Sequence, residues 1–161
     1  MPKREFLVDP SLYDLNKPIA TLEDIRKFNA HRFEMELLTG ILHEDYETKV
    51  AVGYHRTSES DFWVRGHMPG FPLMPGVLIC EVAAQLTAYV ANKYNLMPGG
   101  LLGLAGLDDV RFRGAVRPGD VVVVQTRLLY CKKMLLAGEF LELVNNEVVC
   151  EGIVKGVSLP K

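Results

Sequence analysis

The chain has 161 residues, of which 48% are hydrophobic and 24% are charged. This is the mixture of a globular domain, so the composition excludes a disordered chain, and the length suffices for one core without disulfides or metal. The 18 basic side chains are balanced by 20 acidic ones, a net charge of −2, which argues against a dedicated nucleic-acid binder.

Cysteine usage and hydropathy bear on the cellular compartment in which the protein is expected. Cys80, Cys131 and Cys150 are widely spaced without metal-ligand pairing, and we interpret them as reduced thiols that pack in the core. No secretory signal follows Met1, and no apolar run approaches the roughly 20 residues of a membrane span. We therefore expect a cytoplasmic protein with no membrane span, metal or other cofactor.

The first part of the chain is predicted to be irregular. Residues 1–20 contain three prolines and no hydrophobic period, so we interpret them as an N-terminal arm that precedes one domain over 21–161. Thr21 is predicted to cap a short helix that ends near Asn29, with acidic residues in its first turn.

The rest of the chain contains one long helix among strands. The stretch Pro75 to Tyr94 is apolar around nearly its whole circumference, which predicts a buried helix. A turn is predicted at Glu44-Asp45. Strands are predicted at Phe33 to His43, Thr48 to His55, Leu104 to Phe112, Asp120 to Cys131, Leu135 to Val144 and Val148 to Leu159. Long consecutive strands without intervening helices favour an antiparallel sheet. The predicted fold class is α+β, with a long antiparallel sheet wrapped around one central helix.

Polar side chains occur at helical spacing on this otherwise apolar helix. Glu81, Gln85 and Asn92 form a narrow stripe, since spacings of four and seven return to nearly the same direction. The stripe either faces water or places Glu81 in an apolar site, where burial would raise the pKa of its carboxyl and make it a proton donor.

The segment before the helix has an unusual composition. Residues 66–76 contain three prolines and three glycines, and a Pro-Gly pair leads directly into the helix N-terminus. Free backbone N–H groups at that end, with the helix dipole, can bind an oxyanion. His67 lies in this loop, so a histidine, a helix N-terminus and a helix carboxyl occur in 15 consecutive residues. This combination indicates an acid–base site.

The stretch from His67 to Gln85 closely resembles the signature of the FabZ-type (3R)-hydroxyacyl-acyl-carrier-protein dehydratases of fatty-acid synthesis. The similarity continues through 30–33, 107–113 and 116–120, and it covers roughly 21–159. The family implies a hot-dog fold, in which a curled antiparallel sheet wraps one long helix.

The resemblance also implies the roles of individual residues. His67 would remove the C2 proton of a 3-hydroxyacyl thioester, and Glu81, kept protonated by burial, would donate a proton to the departing hydroxyl. The Gly76 N–H would polarise the thioester carbonyl, and Gln85 would orient Glu81. In the family the two catalytic residues come from opposite subunits, so the site requires a homodimer, alone or as a trimer of dimers (a homohexamer).

The implied partner is an acyl carrier protein whose phosphopantetheine arm carries the acyl chain. The candidates to line the acyl channel are Phe71, Leu73 and Met74. The candidates for a basic rim that steers the acidic carrier are Arg111, Arg113, Arg117, Lys132 and Lys133. Ordinary solvated strand charge is the alternative for each basic residue, and core packing is the alternative for the apolar ones.

Departures from the family pattern leave the catalytic pair intact. Met68 replaces a common phenylalanine, and Glu34 replaces a proline. Two other activities remain open at this point: a hot-dog thioesterase, and a non-catalytic protein that binds acyl thioesters. A dehydratase–isomerase relative usually has Asp in place of Glu81, so glutamate favours dehydration alone.

Overall fold

The structure, a computed structural model, describes residues 5–160. Over these residues it has six strands and two α-helices, with single turns of 3-10 helix at Pro10–Leu12 and Phe33–Met35. In chain order the elements are α1 (Leu22–Arg26), β1 (Gly40–Asp45), β2 (Val50–Arg56), α2 (Gly76–Lys93), β3 (Leu101–Phe112), β4 (Val121–Lys132), β5 (Leu135–Val144) and β6 (Glu147–Leu159).

The strands form one antiparallel sheet in the order β1-β2-β4-β5-β6-β3. The chain crosses from β2 to β3 through α2, and β3 therefore lies at an edge of the sheet. Tight hairpins join β4 to β5 and β5 to β6. The second hairpin turns at Asn145 and Asn146, which both have positive φ, as asparagine tolerates in two-residue hairpin loops.

Helix α2 lies against one face of the sheet and is buried on most of its circumference, as its apolar sequence predicts. The predicted span is confirmed to within one residue at each end. Val82, Ala83 and Leu86 are fully buried in the main core cluster, together with side chains of β2, β4, β5 and β6. None of the helices within residues 5–160 combines the length and hydropathy needed to cross a membrane.

Two local predictions were wrong. The strand predicted at Phe33 to His43 begins only at Gly40, and a 3-10 turn occupies its first residues. The reason is a long-range one: the Gln85 side chain donates to the Met35 carbonyl at 2.8 Å and accepts from the Leu37 N–H at 3.1 Å, which replaces strand pairing there. The turn predicted at Glu44-Asp45 instead follows Asp45, at residues 46–49.

Residues 6–15 of the N-terminal arm pack on the sheet face opposite α2. Val8 joins a second apolar cluster with side chains of β1, β2, β4 and β5. Gln125 of β4, which is fully buried, accepts from the N–H groups of Leu7 and Val8 and donates to the Val8 carbonyl and the Tyr13 hydroxyl. The arm therefore covers a face of the sheet that would otherwise be exposed to water.

Candidate active site

His67 is held by its own loop in a defined ring orientation. Its Nδ1 lies 2.7 Å from the Leu73 carbonyl oxygen, while the His67 carbonyl accepts from the Leu73 N–H at 2.8 Å. Because a carbonyl only accepts, Nδ1 carries the hydrogen, and Nε2 of the neutral ring has the free lone pair. His67 is exposed in the single chain, so Nε2 can reach a ligand.

The N-terminus of α2 lies beside His67. Gly76, the first helical residue, lines the same open cavity of about 470 Å³ as His67, Leu73, Met74 and Phe112. A Cβ atom at Gly76 would lie 2.8 Å from the ring of Phe112, so only glycine fits without displacing that ring. The first N–H groups of a helix have no partner within it and carry the positive end of the dipole. This cavity can therefore stabilise negative charge on a bound carbonyl oxygen.

Glu81 lies about 1.4 turns further along α2, and its carboxylate is contacted by an amide and by an imidazole. Gln85 Nε2 lies 2.9 Å from Glu81 Oε1, and His31 Nε2 lies 3.3 Å from the same oxygen. Gln85 is almost fully buried, and its two other side-chain hydrogen bonds, with the backbone of Met35 and Leu37, leave it one orientation. Gln85 therefore contacts the Glu81 carboxylate, and its role in orienting that group stays a prediction.

The expectation that burial keeps Glu81 protonated is wrong for the single chain. Desolvation does raise the pKa of Glu81, but the hydrogen bonds from His31 and Gln85 stabilise the ionised form and together lower the pKa below its ordinary value. The side chain is 23% exposed, so its desolvation is incomplete.

His67 and Glu81 border different cavities. Glu81 and His31 line a space of about 60 Å³ with Leu102 and Leu104 of β3, and no residue lines both this space and the cavity of His67. Five residues of helix turn the chain through about 500°, so Gly76 and Glu81 point roughly 140° apart around the axis of α2. The helix therefore separates the two halves of the candidate site within one chain.

The three acyl-channel candidates have different positions. Leu73 and Met74 line the His67 cavity, although Met74 is also buried in the core. Phe71 does not line it: its ring is 53% exposed and the Arg117 guanidinium lies over it, 4.8 Å from the ring centre.

The five basic candidates do not form one rim within a chain. Arg111 of β3 pairs with Glu151 of β6, which pairs with Leu141 of β5, which in turn pairs with Gln125 of β4. Arg111 and Gln125 therefore lie at the same height across the sheet. Gln125 is seven residues along β4 from Lys132, about 23 Å of strand. Arg111, Arg113 and Arg117 therefore lie near the His67 end, whereas Lys132 and Lys133 lie at the β4–β5 hairpin. Arg113 is also paired with Glu151 at 2.9 Å.

His31 is a site residue that the sequence reasoning did not single out. The tetrapeptide Ala30 to Phe33 was one of the stretches of family resemblance, and this was the available signal. The contact of His31 with Glu81 joins residues 50 positions apart in the chain, and no hydrophobic or polar periodicity could have predicted this contact. Among residues 5–160, no group of three or more His, Cys, Asp or Glu side chains is placed to hold a metal ion.

Comparison with known proteins defines the class. Residues 29–153 match the FabA-like domain family, and the chain belongs to that family. It has the hot-dog fold. The chain superimposes on a component of the dehydratase heterocomplex ApeI:P from Xenorhabdus doucetiae with a TM-score of 0.73, at 18% identity, over 85% of this chain and 91% of that one.

Relatives at higher identity narrow the class further. The chain is 38% identical over 122 residues to the 3-hydroxyacyl-[acyl-carrier-protein] dehydratase FabZ of Caldicellulosiruptor saccharolyticus, covering 76% of this chain and 86% of the relative. It is 36% identical over 130 residues to the FabZ of Geobacillus thermodenitrificans, covering 81% of this chain and 89% of the relative.

Proposed function

We propose that the protein is a 3-hydroxyacyl-[acyl-carrier-protein] dehydratase of fatty-acid biosynthesis, which converts (3R)-3-hydroxyacyl thioesters to trans-2-enoyl thioesters. The proposal is carried by three groups that lie inside the part of the chain that matches the family. They are the His67 imidazole with a free Nε2, the Glu81 carboxylate fixed by Gln85, and the N-terminus of α2.

Proton removal is assigned to His67. The thioester carbonyl acidifies the C2 hydrogen, and the free lone pair on Nε2 accepts it while Nδ1 stays hydrogen-bonded to the Leu73 carbonyl. The developing enolate oxygen is stabilised by the Gly76 N–H and the dipole of α2.

Departure of water is assigned to Glu81. Its carboxyl donates a proton to the C3 hydroxyl, which leaves as water as the C2–C3 double bond forms, and the same groups run the hydration in reverse. Binding of substrate and a second subunit would remove the remaining water from Glu81, and further desolvation raises the pKa of a carboxyl. This provides the protonated form that the free single chain disfavours.

The complete site is proposed to form between two copies of the chain. Strand β3 is a sheet edge with exposed apolar side chains at Leu104, Leu107 and Phe112, a surface suited to a partner. The His67 cavity includes Phe112 at the end of β3, and the Glu81 cavity includes Leu102 near its start. Antiparallel pairing of two β3 edges about a two-fold axis would bring the start of one strand to the end of the other. His67 of one subunit would then approach the cavity that holds Glu81 of the other.

The proposed macromolecular substrate is an acyl carrier protein with a phosphopantetheine-linked acyl chain. The same two-fold pairing would bring the hairpin lysines, Lys132 and Lys133, towards the partner's end that carries Arg111 and Arg117, which assembles a basic surface that one chain lacks. Assembly of such dimers into a homohexamer is compatible with this arrangement. The proposed compartment is the cytoplasm, in keeping with three free cysteines.

The test is subunit complementation. His67→Ala and Glu81→Gln should each nearly abolish enoyl formation from a 3-hydroxyacyl thioester, and mixed dimers of the two variants should recover part of the activity because one complete site is rebuilt. His43→Ala, on β1 outside both cavities, is the matched control and should be fully active. Release of free thiol without enoyl formation would identify a thioesterase. Thioester binding without turnover in the wild type would identify a non-catalytic protein. Mixed dimers that form but remain inactive would refute the shared site.

A further inference from the structure

Both donors that reach Glu81 within the described residues contact the same carboxylate oxygen. Gln85 approaches Oε1 from the next turn of α2, and His31 approaches it from the segment between α1 and β1. Neither donor contacts the other oxygen, Oε2, and the Glu81 side chain borders the small cavity. Two donors on one oxygen fix both the position of the carboxyl and the direction in which its free oxygen points.

The hydrogen-bonding state of His31 follows from its surroundings. Its Nε2 faces a carboxylate oxygen, so Nε2 carries the hydrogen. Its Nδ1 is buried and has no hydrogen-bond partner among residues 5–160, and a second N–H there would be a buried donor without an acceptor. His31 is therefore placed to donate to Glu81 as a neutral ring.

The segment that carries His31 is anchored to the same helix. Asn29 Nδ2 donates to the Gln85 carbonyl at 2.9 Å, and Arg32 Nη1 donates back to the Asn29 carbonyl at 2.8 Å. The side chain of Gln85 holds the backbone on the other side, at Met35 and Leu37. His31 is thus fixed on both sides by contacts that converge on Gln85.

We propose that His31 is a positioning residue for Glu81: its Nε2–H holds Oε1, so that Oε2 exchanges the proton with the C3 hydroxyl. This inference rests on the proposed function, because it requires Glu81 as the proton donor. When Glu81 gives up its proton, the hydrogen bond from His31 becomes charge-assisted and strengthens. His31 therefore stabilises the carboxylate that the reaction creates, without touching the substrate.

Other charged groups near Glu81 are few among the described residues. Across the small cavity, Lys155 of β6 is the charged side chain that lines it, and it is paired with Asp108 of β3. In the assembled site His67 of the partner subunit would also face Glu81. A change at His31 can therefore be separated from these groups by measuring Glu81 directly.

The experiment compares His31→Phe, which keeps a ring without a donor, with His31→Gln, which keeps an N–H donor. His31→Phe should lower kcat roughly tenfold to a hundredfold with little change in KM, the effect expected for one hydrogen bond to a charged group. His31→Gln should recover most of kcat. A carbon-13 NMR titration of the Glu81 carboxyl, assigned with Glu81→Gln, should show its pKa raised in His31→Phe, because the ionised form has lost a donor.

The control is His43→Phe, which should match the wild type in kcat and in the titration of Glu81. Wild-type kcat and an unmoved Glu81 pKa in a folded His31→Phe protein would overturn the role of His31 while Glu81→Gln remains inactive. Equal loss in His31→Gln and His31→Phe would also overturn it, since the donor would then be irrelevant. A fully active Glu81→Gln would instead refute the proposed function.

Discussion

Glu142 is a carboxylic acid inside the apolar core, and it should make the protein less stable as the pH rises. It lies on the helix-facing side of β5, is fully buried, and neither of its side-chain oxygens has a hydrogen-bond partner among residues 5–160. The groups that face it are the thiols of Cys80 on α2 and Cys150 on β6. Desolvation, the largest effect, raises the pKa of Glu142 well above its ordinary value of 4.5.

The sign of the effect follows from proton binding. Above pH 4.5 the unfolded chain releases the proton of Glu142, whereas the folded chain retains it up to the raised pKa. Stability is therefore lost as the pH rises through this interval, by about 1.4 kcal/mol per pH unit. Glutamine has nearly the same shape and no proton to lose. Between pH 5.5 and 7.5, the wild type should lose up to about 2.7 kcal/mol relative to Glu142→Gln.

The assay is urea unfolding of both proteins at several pH values and one fixed protein concentration, since association contributes to stability. Taking the difference between the two proteins removes the contribution of His55, whose pKa is lowered by burial and whose effect has the opposite sign. A difference that stays constant from pH 5.5 to 7.5 would refute the reasoning. It would mean that Glu142 is ionised and solvated in the folded protein.

Three further changes test other parts of the structure. Gly76→Ala places a Cβ 2.8 Å from the Phe112 ring, and it should lower kcat about tenfold or more by distorting the cavity, with little loss of stability. Gly76→Ala combined with Phe112→Ala should recover part of the activity. Unchanged kcat in the single variant would contradict the steric argument. Gln125→Ala removes four hydrogen bonds to the N-terminal arm. The free energy of unfolding measured in urea should fall by about 2–4 kcal/mol, and the amide hydrogen-exchange rates of residues 6–15 should rise. Exchange rates equal to those of the wild type would show that the apolar contacts alone hold the arm. Arg117→Ala should raise KM several-fold for a carrier-bound substrate but not for a short thioester mimic, and the difference in KM between the variant and the wild type should shrink at high salt. An equal rise in KM for both substrates would show that Arg117 acts on the thioester itself and not on the carrier.

Short-range patterns predicted much of this protein. The central helix was identified to within one residue at each end because an apolar circumference, a proline at its start and glycines beyond its end are all local signals. The strand Leu135–Val144 was predicted with its observed bounds, since a β-favouring run ends at the turn residues Asn145 and Asn146. His67, Gly76 and Glu81 could be proposed as site residues because they occur within 15 consecutive residues, and their catalytic roles stay predictions.

The predictions that failed depend on contacts between distant parts of the chain. Residues 33–39 have the composition of a strand, but the Gln85 side chain binds their backbone, and tertiary hydrogen bonds prevail over local propensity. The basic rim stays a prediction: strand register separates its residues along the sheet of one chain, and only the pairing of two chains would bring them together.

The amino-acid sequence alone determined the fold class, because hydrophobic periodicity is a local property of the chain. It also determined the set of catalytic candidates, because these residues lie in one continuous motif. Only the tertiary structure decided that His31 contacts Glu81, that α2 divides the site between two cavities, and that the arm covers the outer face of the sheet. Each of these depends on which strands pair and on which way a side chain points around a helix. Residues tens of positions apart become neighbours only when the whole chain has folded.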